Sequence, residues 1–154
     1  MSAELKKIIT NSAKQTQKLG EKLAGEILKQ PPEKTATVLG LEGNLGAGKT
    51  TFLQGFAKGL GIKEKVLSPT FVILKKFKMP EPSGFKYFYH VDCYRISSHK
   101  DIARLGFKEI ISDSKNIVAV EWPERIIKAL PKDYLKIRFK FVDENKREIT
   151  LRNF

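Results

Sequence analysis

Cysteine is almost absent from this chain: Cys93 is the only one among 154 residues. A single thiol excludes an intrachain disulfide framework and suits a reducing cytosol. Long apolar runs are missing as well. No stretch approaches the ~20 residues of a membrane-spanning helix. Residues 1–10 lack the apolar core of a signal peptide. A cytoplasmic location without membrane attachment is therefore expected. There are only two histidines, His90 and His99, and no second histidine sits at a useful ligand spacing from either. Histidine-based metal binding is not expected, and Cys93, with no nucleophile constellation around it, reads as structural. Arginine is scarce, 6 residues against 23 lysines. The formal net charge of +12 invites a nucleic-acid reading. The lysines are scattered, however, with one tight cluster at Lys75-Lys76-Phe77-Lys78, and arginine is the better residue for bidentate phosphate contacts. A solvated basic surface facing an acidic partner is the expected reading, ahead of direct nucleic-acid binding.

The composition is otherwise that of a globular domain, with 41% hydrophobic and 30% charged residues. A chain of this length makes one domain and buries about 70% of its unfolded surface. It is short for an NTPase carrying its own substrate domain.

The informative stretch is Gly43-Asn44-Leu45-Gly46-Ala47-Gly48-Lys49-Thr50-Thr51, which contains G-x-x-x-x-G-K-T. Residues 36–41 before it read as a buried strand, and residues 51–60 after it as a helix, closed by Gly59 and Gly61. Strand, glycine loop and helix are the setting of a phosphate-binding loop. Glycines at 43, 46 and 48 permit the backbone conformations that turn N–H groups inward as a nest for phosphate oxygens. The following helix adds its positive N-terminal end. Lys49 can reach the β- and γ-phosphates and the Thr50 hydroxyl can ligate Mg²⁺. Lys49 is expected to face solvent while the loop is empty.

Such a loop needs carboxylates on neighbouring strands. Phe88-Tyr89-His90-Val91-Asp92 and Ile117-Val118-Ala119-Val120-Glu121 each end an apolar run in an acid. Either acid can stand on the metal side while the other orients the attacking water. Thr70, in Ser68-Pro69-Thr70-Phe71, is placed to act as a switch threonine. Arg95 and Arg125 are candidates for phosphate contacts. A GTPase would show D-x-x-G after the loop, and none is present. Asn145-Lys146-Arg147-Glu148 lacks the final Asp of a guanine reader and falls in an expected hairpin turn.

Elsewhere, Ser12 and Gln15 resemble a capping box opening a helix over residues 13–29, which Pro31-Pro32 ends. Residues 70–78 and 85–91 read as a hairpin around a Pro-Gly loop. Residues 98–112 are loosely helical with Gly106 as an interruption, and Pro123 starts a helix that ends near Pro131. Residues 134–142 and 147–152 read as a C-terminal hairpin of about 134–152. The expected fold is α/β: a single P-loop NTPase domain over residues 1–154, with a mixed, partly antiparallel sheet flanked by helices.

The phosphate loop, Ser68-Pro69-Thr70-Phe71, His90-Val91-Asp92-Cys93-Tyr94-Arg95, Leu105-Gly106-Phe107 and Glu121-Trp122-Pro123-Glu124 occur in this order. Together they resemble the TsaE (YjeE) family, the small ATPases of bacterial tRNA threonylcarbamoyladenosine synthesis. The resemblance spans roughly residues 12–130. It implies a Mg²⁺-dependent ATP-binding protein with slow hydrolysis. Such a protein does not transfer the threonylcarbamoyl group itself. It acts with separate threonylcarbamoyl transferase subunits that modify adenosine 37 of tRNA. By position, the resemblance implies Thr50 and Glu121 as Mg²⁺ ligands. Lys49, Thr70 and Asp92 become catalytic, Thr70 as the switch residue and Asp92 as the acid that positions water or supports the metal's water shell. The nucleotide site becomes Gly43 to Thr51, with Trp122 beside it and Ser12 bordering the base. The readings set against this one are a small-molecule kinase and a nucleotide-gated binding module with little turnover.

Overall fold

The computed structural model describes residues 5–67 and 73–152. A seven-stranded sheet runs through it, in the order β1-β7-β6-β2-β5-β4-β3. The strands are β1 (Leu5–Thr10), β2 (Thr37–Glu42), β3 (Leu74–Lys78), β4 (Tyr87–Asp92), β5 (Asn116–Glu121), β6 (Leu135–Phe141) and β7 (Arg147–Arg152). The four central strands β6, β2, β5 and β4 are mutually parallel. Antiparallel strands flank them: β3 against β4 on one side, β7 and then β1 beyond β6 on the other. The expected mixed sheet and both expected hairpins are present.

Helices cover the sheet on two sides. Helices α1 (Ala13–Lys29) and α2 (Lys49–Gly59) bury Leu23, Ala24, Phe52 and Phe56 against Leu39, Leu41, Phe88, Ile117 and Phe139. On the other face α3 (His99–Ala103), α4 (Phe107–Ser112) and a 3-10 helix (Pro123–Ala129) bury Ile102, Phe107 and Ile126 against Val38, Tyr89, Val91, Val118 and Val120. Strands buried on both faces read as continuous apolar runs, as β2 and β5 do. Helix α1 begins where the capping box places it. The Ser12 Oγ accepts from the Gln15 N–H at 3.1 Å, and Gln15 Oε1 accepts from the Asn11 N–H at 2.7 Å. Gly106, at φ +76°, separates α3 from α4 as its place in the sequence suggested.

Two expectations about elements need correction. Among the described residues the first element is a strand, because Leu5–Thr10 pairs with β7 over its whole length. Its lysines hide that from periodicity: it is an edge strand, and Thr10 is its one buried residue. The strand expected over 70–78 runs from Leu74 to Lys78. Its first three positions lie outside the described residues.

The topology locates the site. From β2 the chain continues on one side through β4 and β5, then crosses to the other side as β6. Open α/β sheets bind ligands outside the carboxyl ends of the strands where such a reversal occurs. The glycine loop leaves the carboxyl end of β2.

Candidate functional site

Gly43, Gly46 and Gly48 have φ of +150°, +81° and +103°, so the loop uses backbone that other residues avoid. Gly48 caps α2 with no side-chain hydrogen bond, and the first turn of the helix holds no acid. The helix therefore presents free N–H donors and the positive end of its dipole to whatever the loop encloses. Asn44 and Leu45 are exposed, Ala47 is buried, and Thr50 and Thr51 are half-buried at the start of the helix.

Lys49 does not face solvent, contrary to expectation. Its residual exposure is 5%. Its Nζ donates to the Gly43 carbonyl at 2.6 Å and lies 4.0 Å from the centre of the Trp122 ring. A carbonyl acceptor and an aromatic face together satisfy a buried ammonium. Burial lowers its pKa from 10.5, against the opposing pull of Glu121, Asp92 and Glu124.

The two acids meet through strand register. Asp92 and Glu121 are partners across the parallel β4–β5 pair, each the last residue of its strand. Alternation turns both toward the side of the sheet that α2 covers, because Phe88, Ile117 and Ala119 pack on that side. Asp92 is half-buried and its pKa is raised, first by burial and then by Glu121. The Tyr94 N–H, donating to Asp92 Oδ1 at 3.0 Å, opposes the rise. Glu121 is buried, and its Oε2 lies 2.7 Å from His90 Nε2.

The sequence reading set His90 aside as a metal ligand and missed this contact with Glu121. The signal was available: His90 stands two residues before Asp92 on one strand, hence on the same face. Its contact holds one oxygen of Glu121 in place, as the outer partners of metal ligands do. Among the described residues no group of three or more His, Cys, Asp or Glu could hold a metal ion by itself. The oxygens of Glu121, Asp92 and Thr50 suit a hard cation that completes its shell with water and phosphate, as Mg²⁺ does.

Trp122 has left-handed backbone at φ +60°, rare for an aromatic residue and found where a site over-determines the chain. Its N–H donates to the Leu41 carbonyl at 3.2 Å, which ties the end of β5 to the end of β2. Tyr94 lies 5.1 Å from its ring, and the Arg125 guanidinium 5.8 Å. Arg95 is exposed just beyond β4. Ser12 caps α1 two residues beyond Thr10, whose register partner Arg147 reaches the loop. Thr70, with Ser68, Pro69 and Phe71, lies outside the described residues. Cys93 is buried and unpaired, and burial pushes its thiol up from 9.0 to about 12.

The family model of the threonylcarbamoyl adenosine biosynthesis protein TsaE matches residues 10–149. The chain belongs to the TsaE family. Within it, the "tRNA threonylcarbamoyladenosine biosynthesis protein TsaE" of Bacillus subtilis is 43% identical over 117 residues, 76% of this chain and 70% of that protein. The protein of the same name from Treponema pallidum is 34% identical over 143 residues, 93% of this chain and 97% of that one. A crystal structure of Bacillus subtilis YdiB aligns with a TM-score of 0.74 at 32% identity, covering 99% of this chain and 87% of that one. Family membership therefore extends past residue 130, where the recognisable motifs stop, into the C-terminal hairpin.

Proposed function

We propose that this protein binds ATP with Mg²⁺ and hydrolyses it slowly. It does so in the cytoplasm, in the service of threonylcarbamoyladenosine modification of tRNA, together with separate transferase subunits. One observation carries the nucleotide reading. Lys49, Asp92 and Glu121 converge beside a glycine loop whose helix end has no side-chain cap. Family membership supports the pathway.

In this reading the loop N–H groups and Lys49 bind the phosphates, Lys49 leaving the Gly43 carbonyl to do so. Thr50 and Glu121 would hold Mg²⁺, which would supply charge neutralisation for a bound phosphate. Asp92, at the end of β4 beside Glu121, accepts a hydrogen bond from the attacking water and aligns it. Trp122 and Tyr94 form an aromatic wall, and Ser12 borders the base. Thr70 senses the γ-phosphate. The transferase partners hold the tRNA, so this chain needs no substrate domain of its own.

The test is ATP incubated with the chain alone and with the partner subunits. ADP and inorganic phosphate are the expected products. Phosphate on a small acceptor would make the protein a kinase, and no turnover even with partners would leave a nucleotide-gated binding module. Lys49→Ala should lower nucleotide affinity or turnover by about tenfold or more, about 1.4 kcal/mol. Unchanged hydrolysis in that variant would defeat the phosphate-loop assignment.

A further inference from the structure

The loop is gripped from behind by an arginine that belongs to no motif. Arg147 opens β7, opposite Thr10 on β1 and Phe141 on β6. Its Nη1 donates to the Asp143 carbonyl at 2.6 Å and the Lys146 carbonyl at 3.0 Å. Its Nη2 donates to the Gly46 carbonyl, in the middle of the glycine loop, at 3.2 Å. The stem passes behind Gly48: Cγ lies 3.5 Å from where a β-carbon there would sit. The guanidinium carbon is 4.7 Å from the centre of the Phe141 ring. Nε is shielded from solvent and has no hydrogen-bond partner among the described residues.

The base of this arm is braced. Asp143 Oδ1 accepts the N–H groups of Asn145 and Lys146 at 2.9 and 2.8 Å, and the Val142 N–H donates to the Lys146 carbonyl at 3.1 Å. The far end is braced too. The Ala47 N–H donates to the Asn44 carbonyl at 3.1 Å. The Gly46–Ala47 peptide is a single rigid plane. Arg147 holds its carbonyl end and Asn44 its N–H end. A plane fixed at both ends cannot rotate its carbonyl into the concavity where anionic oxygens are to be received.

We propose that Arg147 is the positioning residue of the phosphate loop, keeping the Gly46 carbonyl turned away from the ligand. This rests on the reading of that loop as the nucleotide site. The fork matters as well as the charge, since the contacts go to three carbonyls in different directions and a lysine ammonium cannot reproduce them. The C-terminal hairpin thereby becomes part of the ATP site, although it contributes no motif residue.

The experiment uses the full chain with Arg147→Ala, Arg147→Gln and Arg147→Lys. Without nucleotide, the Ala47 amide should exchange with deuterated water about tenfold faster or more in all three, while amides of β2 and β5 keep their protection. With ATP, KM should rise about tenfold and kcat should change by less than about twofold, because a mis-set loop weakens binding before chemistry. Unchanged Ala47 exchange would overturn the proposal, and so would full recovery of both readouts by lysine. Uniform loss of protection across the sheet would also overturn it, since that marks a purely structural role. A wild-type chain that binds neither ATP nor ADP would instead defeat the nucleotide reading, and the exchange result would still stand on its own.

Discussion

Burial holds the pKa of Lys49 below its ordinary value, against the pull of Glu121, Asp92 and Glu124. Its lowered pKa means the folded chain binds fewer protons than the unfolded one between the lowered value and 10.5. Stability from this group therefore rises with pH through that window. Asp92 runs the other way. Its raised pKa means the folded chain binds more protons above 3.8, so stability from it falls as pH rises toward the raised value. Phosphate beside Lys49 restores the charged form. Nucleotide binding in the alkaline window should therefore take up protons. Calorimetry in buffers of different ionisation enthalpy measures this directly, and Lys49→Ala should remove the uptake. Proton release there, or uptake that survives the substitution, would place Lys49 away from the phosphates. Cys93 gives a second residue-scale expectation. A thiol shifted from 9.0 to about 12 carries on the order of a thousandfold less thiolate at neutral pH. It should resist an aromatic disulfide reagent in the native chain and react promptly in denaturant. Fast native labelling would mean that the end of β4 opens.

At the scale of elements, α1 and α2 touch through glycines. A β-carbon on Gly55 would stand 1.9 Å from the Gln17 carbonyl oxygen, and one on Gly20 2.3 Å from that of Phe52. Gly59, read from sequence as a helix stop, is also a contact: its β-carbon would lie 2.7 Å from the Glu21 carbonyl oxygen. Neither helix can yield without moving the loop at the start of α2 or the cap at Ser12. Gly55→Ala should therefore cost about 3 kcal/mol or more. Gly25→Ala, in the same α1 helix with nothing within 4 Å, should stabilise by about 0.5–1 kcal/mol. Urea unfolding of both variants decides the matter, and near-equal midpoints would refute the close helix contact. Local signals in the sequence marked much of this architecture: the Ser12 cap, the break at Gly106, the start at Pro123 and both hairpins. What escaped were long-range facts. The lysine-rich β1 becomes a strand only because β7 lies beside it. His90 finds Glu121 through parallel register across 31 residues, and Arg147 reaches Gly46 across 101. Lys49 turns inward because of an aromatic ring that β5 delivers.

At the scale of the molecule, the net charge of +12 has a visible face. Helices cover β2, β5 and β4 on both sides, while the wing β6-β7-β1 buries Ile137, Phe139, Ile149 and Leu151 on the α1–α2 side. Alternation therefore puts Lys136, Arg138, Lys140 and Arg152 on the opposite side, with Lys7 joining them from β1. Much of that charge is answered locally. Lys7 pairs with Glu148 at 3.3 Å, and Lys136 and Arg138 both pair with Glu42, at 3.4 and 3.2 Å. Lys140 and Arg152 make no ion pair among the described residues. Leu5 and Ile9, the exposed apolar residues of β1, are aliphatic and offer no platform on which bases stack. Such a face attracts a polyanion without reading it. We expect the isolated chain to bind tRNA weakly and to discriminate little between sequences. With about three phosphates neutralised, affinity should fall about fortyfold between roughly 50 and 200 mM salt. Filter binding at the two salt concentrations, with cognate tRNA and an unrelated RNA, gives the answer. Binding that is strong, salt-resistant and selective would mean that this face engages the tRNA itself.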